Sequence, residues 1–110
     1  MQLLRALLRK QNCIHMGEYV LEREIENYFV WTVEHAGGKT YKFRSVNQRG
    51  VSDRIACMPD GSTWFVELKT KGGRLSELQK RFANDVIALQ QKYACLWSKE
   101  MIDEWINQRI

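Results

Sequence analysis

Gly50-Val51-Ser52-Asp53-Arg54-Ile55-Ala56-Cys57-Met58-Pro59-Asp60-Gly61-Ser62-Thr63-Trp64-Phe65-Val66-Glu67-Leu68-Lys69 holds two strand-like apolar runs on either side of a turn. The turn sets how they pair. Pro59 supplies a φ near −65°, Asp60 follows, and Gly61 stands where φ must be positive. This order suits a type I turn closed by a glycine bulge, the three-residue hairpin loop. Met58 then pairs with Ser62, and Asp53 falls opposite Glu67. Directly opposed residues share a face with Cβ atoms roughly 4.5–5.5 Å apart. Lys69, two residues on from Glu67, lies on that face as well. A two-residue loop would turn Asp53 to the wrong side.

Two carboxylates that close can share a Mg²⁺, which keeps several waters and takes one or two protein carboxylates plus phosphate oxygens. Such an ion lowers the pKa of a bound water and stabilises charge on a phosphate. Lys69 is placed to orient the water or to offset transition-state charge. The competing reading makes Asp53 a strand start and Glu67 and Lys69 exposed positions of a half-buried sheet. The nearly unbroken run Trp64, Phe65, Val66 and Leu68 speaks against it, because such a strand is covered on both faces. Charges at its end border buried surface and need partners.

Downstream, Thr70 to Leu75 form a basic glycine loop, and Ser76-x-x-Gln79 is a capping box that opens a helix. Asp53 with Glu67-Leu68-Lys69 resembles the PD-(D/E)XK nuclease signature. The fuller set is more specific: Gly50-Val51-Ser52-Asp53-Arg54, Phe65-Val66-Glu67-Leu68-Lys69, Gly72-Gly73-Arg74-Leu75-Ser76 and Gln79. Together they resemble the virus-type replication-repair nuclease (VRR-NUC) domain, above all its small stand-alone phage and bacterial members, over about residues 19–98. The family's usual Pro before the acid is Ser52 here, a position without a chemical role. Pro59-Asp60 is a decoy, since it lies in the turn and leaves no strand before Glu67.

The resemblance implies a single restriction-endonuclease-like α/β domain with a mixed central sheet flanked by helices. It implies a Mg²⁺- or Mn²⁺-dependent DNA endonuclease, with Asp53 and Glu67 as metal ligands, Lys69 catalytic, and Leu68 contributing its backbone carbonyl. A glutamate on the first helix is an additional metal-side ligand in the family. Glu22-x-x-Ile25 matches its pattern, so Glu22 is assigned that place, with Glu26 as the alternative. The family also keeps a glutamine near the active site, so Gln79 can serve as helix cap, as site residue, or as both. Stand-alone members resemble Holliday-junction resolvases, in which a two-fold homodimer sets two sites on opposed strands. A flap or nicked-duplex nuclease is the nearest alternative. A DNA-binding module with a vestigial metal site comes from another class, and RNA stays open as a substrate.

Outward from this centre the chain reads as helix, three-stranded antiparallel meander, helix, strand and helix. Residues 19–35 show a helical stripe of Leu21, Ile25, Tyr28, Phe29 and Val33 ended by Gly37-Gly38. Thr40 to Val46 alternates as a half-buried strand with Tyr41 and Phe43 on one face. The helix after Ser76 is expected to bury Leu78, Phe82, Val86 and Leu89. Tyr93 to Trp97 is a strand that follows a crossover and can pair in parallel with a central one. Lys99 to Asn107 is a last helix with Met101, Ile102, Trp105 and Ile106 on one face. Residues 1–15, with Leu3, Leu4, Leu7 and Leu8 on one helical face, read as an extension added by cloning or an upstream start, or as a docking helix. Residues 16–110 form the nuclease-like domain.

The 110 residues carry a net charge of +4 and a pI near 9.1, which suits an acidic partner such as DNA. Lys42, Arg44, Arg49, Arg54, Lys71 and Arg74 flank the acids in sequence and are candidate phosphate contacts. No base-reading motif is present, so recognition by backbone or shape is expected, of branched DNA on the family's precedent. Cys13, Cys57 and Cys95 make an odd count without a CxxC pair, which argues for reduced thiols and an intracellular, cytoplasmic setting, while the family resemblance implies a phage, prophage or bacterial origin. Cys57 and Cys95 read as core residues. His15 and His35 have no partners at ligand spacing. No nucleotide-cofactor loop and no membrane span are expected.

Overall fold

A computed structural model describes residues 20–45 and 47–110. The N-terminal helical face, Tyr19 and Val46 lie outside the described residues. The elements are α1 (Glu22–His35), β1 (Lys39–Lys42), β2 (Arg54–Cys57), β3 (Thr63–Leu68), α2 (Glu77–Ala88), β4 (Lys92–Leu96) and α3 (Lys99–Asn107). The four strands form one sheet in the order β1-β2-β3-β4. The first three make an antiparallel meander, and β4 returns through α2 to lie parallel to β3.

The hairpin has the expected register. Arg54 pairs with Val66 and Cys57 with Thr63, so partner numbers sum as the three-residue loop demands. The Met58 N–H donates to the Ser62 carbonyl at 2.9 Å, and the Gly61 N–H closes the turn on the Met58 carbonyl at 3.0 Å. Gly61 has φ +88°, a conformation that costs glycine nothing. Asp60 accepts from the backbone N–H of Ser62 at 2.8 Å, fixing the turn from its own side chain.

One face of the sheet is sealed by α1 and α3. Ile25, Phe29 and Val33 of α1 meet Ala56, Val66, Leu68 and Leu96 of the strands and Ile102, Trp105 and Ile106 of α3. The rings of Phe29 and Trp105 lie 5.6 Å apart. Asp103 is fully buried in this layer and accepts the Tyr28 hydroxyl at 2.6 Å. α1 ends at Ala36, and Gly37 takes φ +93° as the chain turns into β1.

The other face is covered by α2 alone, and thinly. Phe82 packs edge-on to Phe65 at 5.6 Å and near Phe43 at 6.1 Å, but Ala83 is the only buried residue of the helix. The expected stripe is therefore corrected: Leu78 and Leu89 are exposed, because one helix of twelve residues cannot roof four strands. Cys57 is also exposed rather than core, since its side chain shares this open face with Thr63. β1 stops at Lys42 instead of reaching residue 46, and Tyr41 stands exposed on the edge strand. Leu21 is the cap before α1 rather than part of its buried stripe.

Candidate active site

Alternation along β2 and β3 turns Asp53, Glu67 and Lys69 to the α2 side, at the end of the sheet away from the hairpin tip. Asp53 lies just before β2. Its Oδ2 accepts the backbone N–H of Leu68 at 2.8 Å, which ties the carboxylate to the neighbouring strand. Ser52 is buried, and its hydroxyl donates to the Arg54 carbonyl at 3.4 Å. Gly50 brings the preceding loop against α2: it has φ +82°, and a Cβ there would sit 2.5 Å from the Leu78 backbone.

Glu67 is 2% exposed. Burial pushes its carboxyl up to about 8, helped by the charge of Asp53 and a hydrogen bond between the two acids, and opposed by Lys69. The Lys69 ammonium lies 3.8 Å from Glu67 Oε2. Its backbone N–H donates to the Leu96 carbonyl at 3.0 Å, so the end of β3 is clamped to β4. The pair of acids is held closer than their charges alone would allow. Without a cation, the proton that Glu67 retains relieves the repulsion.

Gln79 joins this group from α2. Its amide oxygen accepts the Ser76 N–H at 2.8 Å while its amide nitrogen donates to Glu67 Oε2 at 3.2 Å. The capping box and the contact to the acid are thus made by one side chain.

The two acids of α1 are placed differently. Glu22 is exposed in the first turn, and its charge acts on Glu67 only as the weakest of several influences. Glu26 is held by Arg54 at 3.0 Å, with Lys42 at 4.0 Å. Among the described residues no three acids, histidines or cysteines gather as a ready cation site. Arg54 is correspondingly not brought to the acids. One residue on from Asp53, it faces the opposite side of the sheet and bonds Glu26 and Thr40.

Lys42 and Arg44 line an open cleft of about 260 Å³ together with Glu26, Phe43, Val51, Ser52 and Asp53. Arg49, Lys71 and Arg74 are exposed on loops. The glycine loop that carries Lys71 and Arg74 is fixed by Trp97, whose indole N–H donates to the Gly73 carbonyl at 3.0 Å.

Two neighbours of the site were not legible beforehand. Cys95 pairs with Glu67 across the parallel ladder, and Tyr93 lies two residues earlier on the same face. Burial and the Glu67 charge push the Cys95 thiol up to about 12, so it is no nucleophile at neutral pH. Burial pushes the Tyr93 hydroxyl up as well. The sequence held no signal for either, because no tight turn sets the register of a crossover strand.

The residues present fit a hard divalent cation. The half-buried Asp53 faces the buried Glu67 with the Lys69 ammonium beside it, and the donors are oxygens, the preference of Mg²⁺ and Mn²⁺.

Comparisons with known proteins bear on the fold and the family. The chain is 35% identical over 82 residues to "Putative nuclease p44" of Acyrthosiphon pisum secondary endosymbiont phage 1, covering 74% of this chain and 88% of that protein. A solved structure described as a VRR_NUC domain superposes with a TM-score of 0.76 at 22% identity, over 81% of this chain and 97% of that one. No protein-family model matches the chain.

Proposed function

The chain belongs to the VRR-NUC family, and on that premise we propose that it is a divalent-metal-dependent, structure-specific DNA endonuclease. The observation that carries this reading is the pairing of Asp53 with the buried Glu67, with the Lys69 ammonium 3.8 Å from Glu67. Asp53 and Glu67 would hold Mg²⁺ or Mn²⁺, with Leu68 adding its backbone carbonyl and Glu22 the acid of α1. The bound ion supplies charge to stabilise the phosphate and to acidify an attacking water. Lys69 orients that water and offsets the negative charge that grows on the phosphate. Gln79 keeps Glu67 turned toward the reacting centre.

Lys42 and Arg44 in the cleft beside Asp53 would take backbone phosphates, with Arg49, Lys71 and Arg74 extending the track. Recognition of this kind reads shape rather than sequence. The substrate we propose is a four-way junction resolved by a homodimer, since paired nicks on opposed strands need two sites. Leu78 and Leu89, exposed along one flank of α2, would offer an apolar contact to a second copy.

Cleavage of a labelled four-way junction with Mg²⁺ or Mn²⁺, wild type beside Lys69→Ala, tests the reading. Paired symmetric nicks are expected from the wild type, and a loss of about 10²–10³-fold in rate from the variant with its fold kept. A monomer that cuts flaps or plain duplex as fast as junctions defeats the junction assignment. Binding without cleavage of any DNA defeats the enzyme.

A further inference from the structure

We propose that Ser76 is a positioning residue for Glu67, acting through Gln79; the inference rests on the metal-dependent reading above. An amide has two unlike ends, and only its nitrogen can donate to a carboxylate. At Gln79 the choice is made by the helix cap. The Ser76 backbone N–H takes the amide oxygen at 2.8 Å, which leaves the nitrogen for Glu67 Oε2 at 3.2 Å. The Ser76 hydroxyl in turn accepts the Gln79 backbone N–H at 3.1 Å and fixes the first turn of α2 from which Gln79 projects.

Without that hydroxyl the first turn frays, and the Ser76 N–H no longer meets the amide oxygen. The Gln79 amide is then free to rotate, and its oxygen facing Glu67 would be repulsive. Glu67 would keep its contact with Asp53 and the more distant Lys69 ammonium, 3.8 Å from Oε2, but no amide donor. The capping box therefore does more than start a helix: it selects the end of Gln79 that Glu67 meets, and so the direction in which Glu67 presents its oxygens to a cation. Groups that orient a metal ligand in this way alter affinity although they never touch the metal.

Mn²⁺ titration by calorimetry, paired with thermal melting, tests this on wild type, Ser76→Ala, Ser76→Thr, Gln79→Ala and the Ser76→Ala/Gln79→Ala double variant. Ser76→Ala is expected to weaken Mn²⁺ binding about tenfold, and Ser76→Thr, which keeps a capping hydroxyl, to restore it. The double variant should bind Mn²⁺ no more weakly than Gln79→Ala alone, because the Ser76 effect passes through that amide. A Ser76→Ala protein that melts lower yet binds Mn²⁺ as the wild type does would confine Ser76 to helix capping and overturn the proposal. Additive losses in the double variant would overturn it too. Wild type that binds no Mn²⁺ at all would defeat the metal-dependent reading itself, and this inference with it.

Discussion

The two faces of the sheet are built on opposite terms. Against α1 and α3, Phe29, Val33, Val66, Ile102 and Ile106 are all fully enclosed, and the buried acid Asp103 is bonded to Tyr28. Against α2, Phe65, Phe82 and Val86 stay half-exposed, and the buried acid Glu67 sits beside another acid, with Gln79 and Lys69 as its donors. The same four strands supply both. One face carries the stability that the other lacks, and the open face can therefore hold a carboxylate pair that would weaken a closed core.

This contrast can be broken from either side. The largest effect is expected from Phe29→Ala, which empties a site where nothing can collapse inward and should cost about 3–5 kcal/mol. Denaturant unfolding followed by circular dichroism measures it. A loss no greater than that of a surface substitution would mean that the α1/α3 face is not the stabilising one.

Next in size is a pH effect on the site face in the absence of divalent ions. Glu67 in the folded chain binds its proton more tightly than its ordinary value of 4.5 allows. Its contribution to stability is therefore fully present below about 4.5 and lost as pH rises through about 8. Glu67→Gln, which never ionises, should melt higher than the wild type near pH 8.5 and lose that advantage near pH 5. It should also abolish Mn²⁺-dependent cleavage. A difference in melting temperature that does not change with pH would show that the acid pair is not strained. The smallest effect is expected from Ile87→Ser on an exposed flank of α2, within about 0.5 kcal/mol of wild-type stability. A larger drop would mean that α2 is roofed by something, and analytical ultracentrifugation of the same variant would show whether a second copy is the cover.

Much of the site was legible because its centre is local. Asp53 and Glu67 are joined by a hairpin whose register is set within the five residues Met58 to Ser62, and the turn chemistry there admits one solution. Arg54 was misjudged for an equally local reason. Nearness to Asp53 in sequence means the opposite face in a strand, and the side chain went to Glu26. Leu78 and Leu89 show the limit of periodicity, which finds the stripe of a helix but not whether enough sheet lies under it.

The sequence by itself determined the elements, the hairpin and the opposition of two acids, since each follows from backbone preferences acting over a few residues. The crossover foretold a parallel last strand, but only the tertiary structure decided that its partner is β3, in the register that brings Cys95 beside Glu67. It also decided that the Gln79 amide reaches Glu67 across twelve residues of chain, and that α1 commits Glu26 to Arg54. Those placements depend on how separately formed elements pack, a balance of burial over the whole domain that no short stretch encodes.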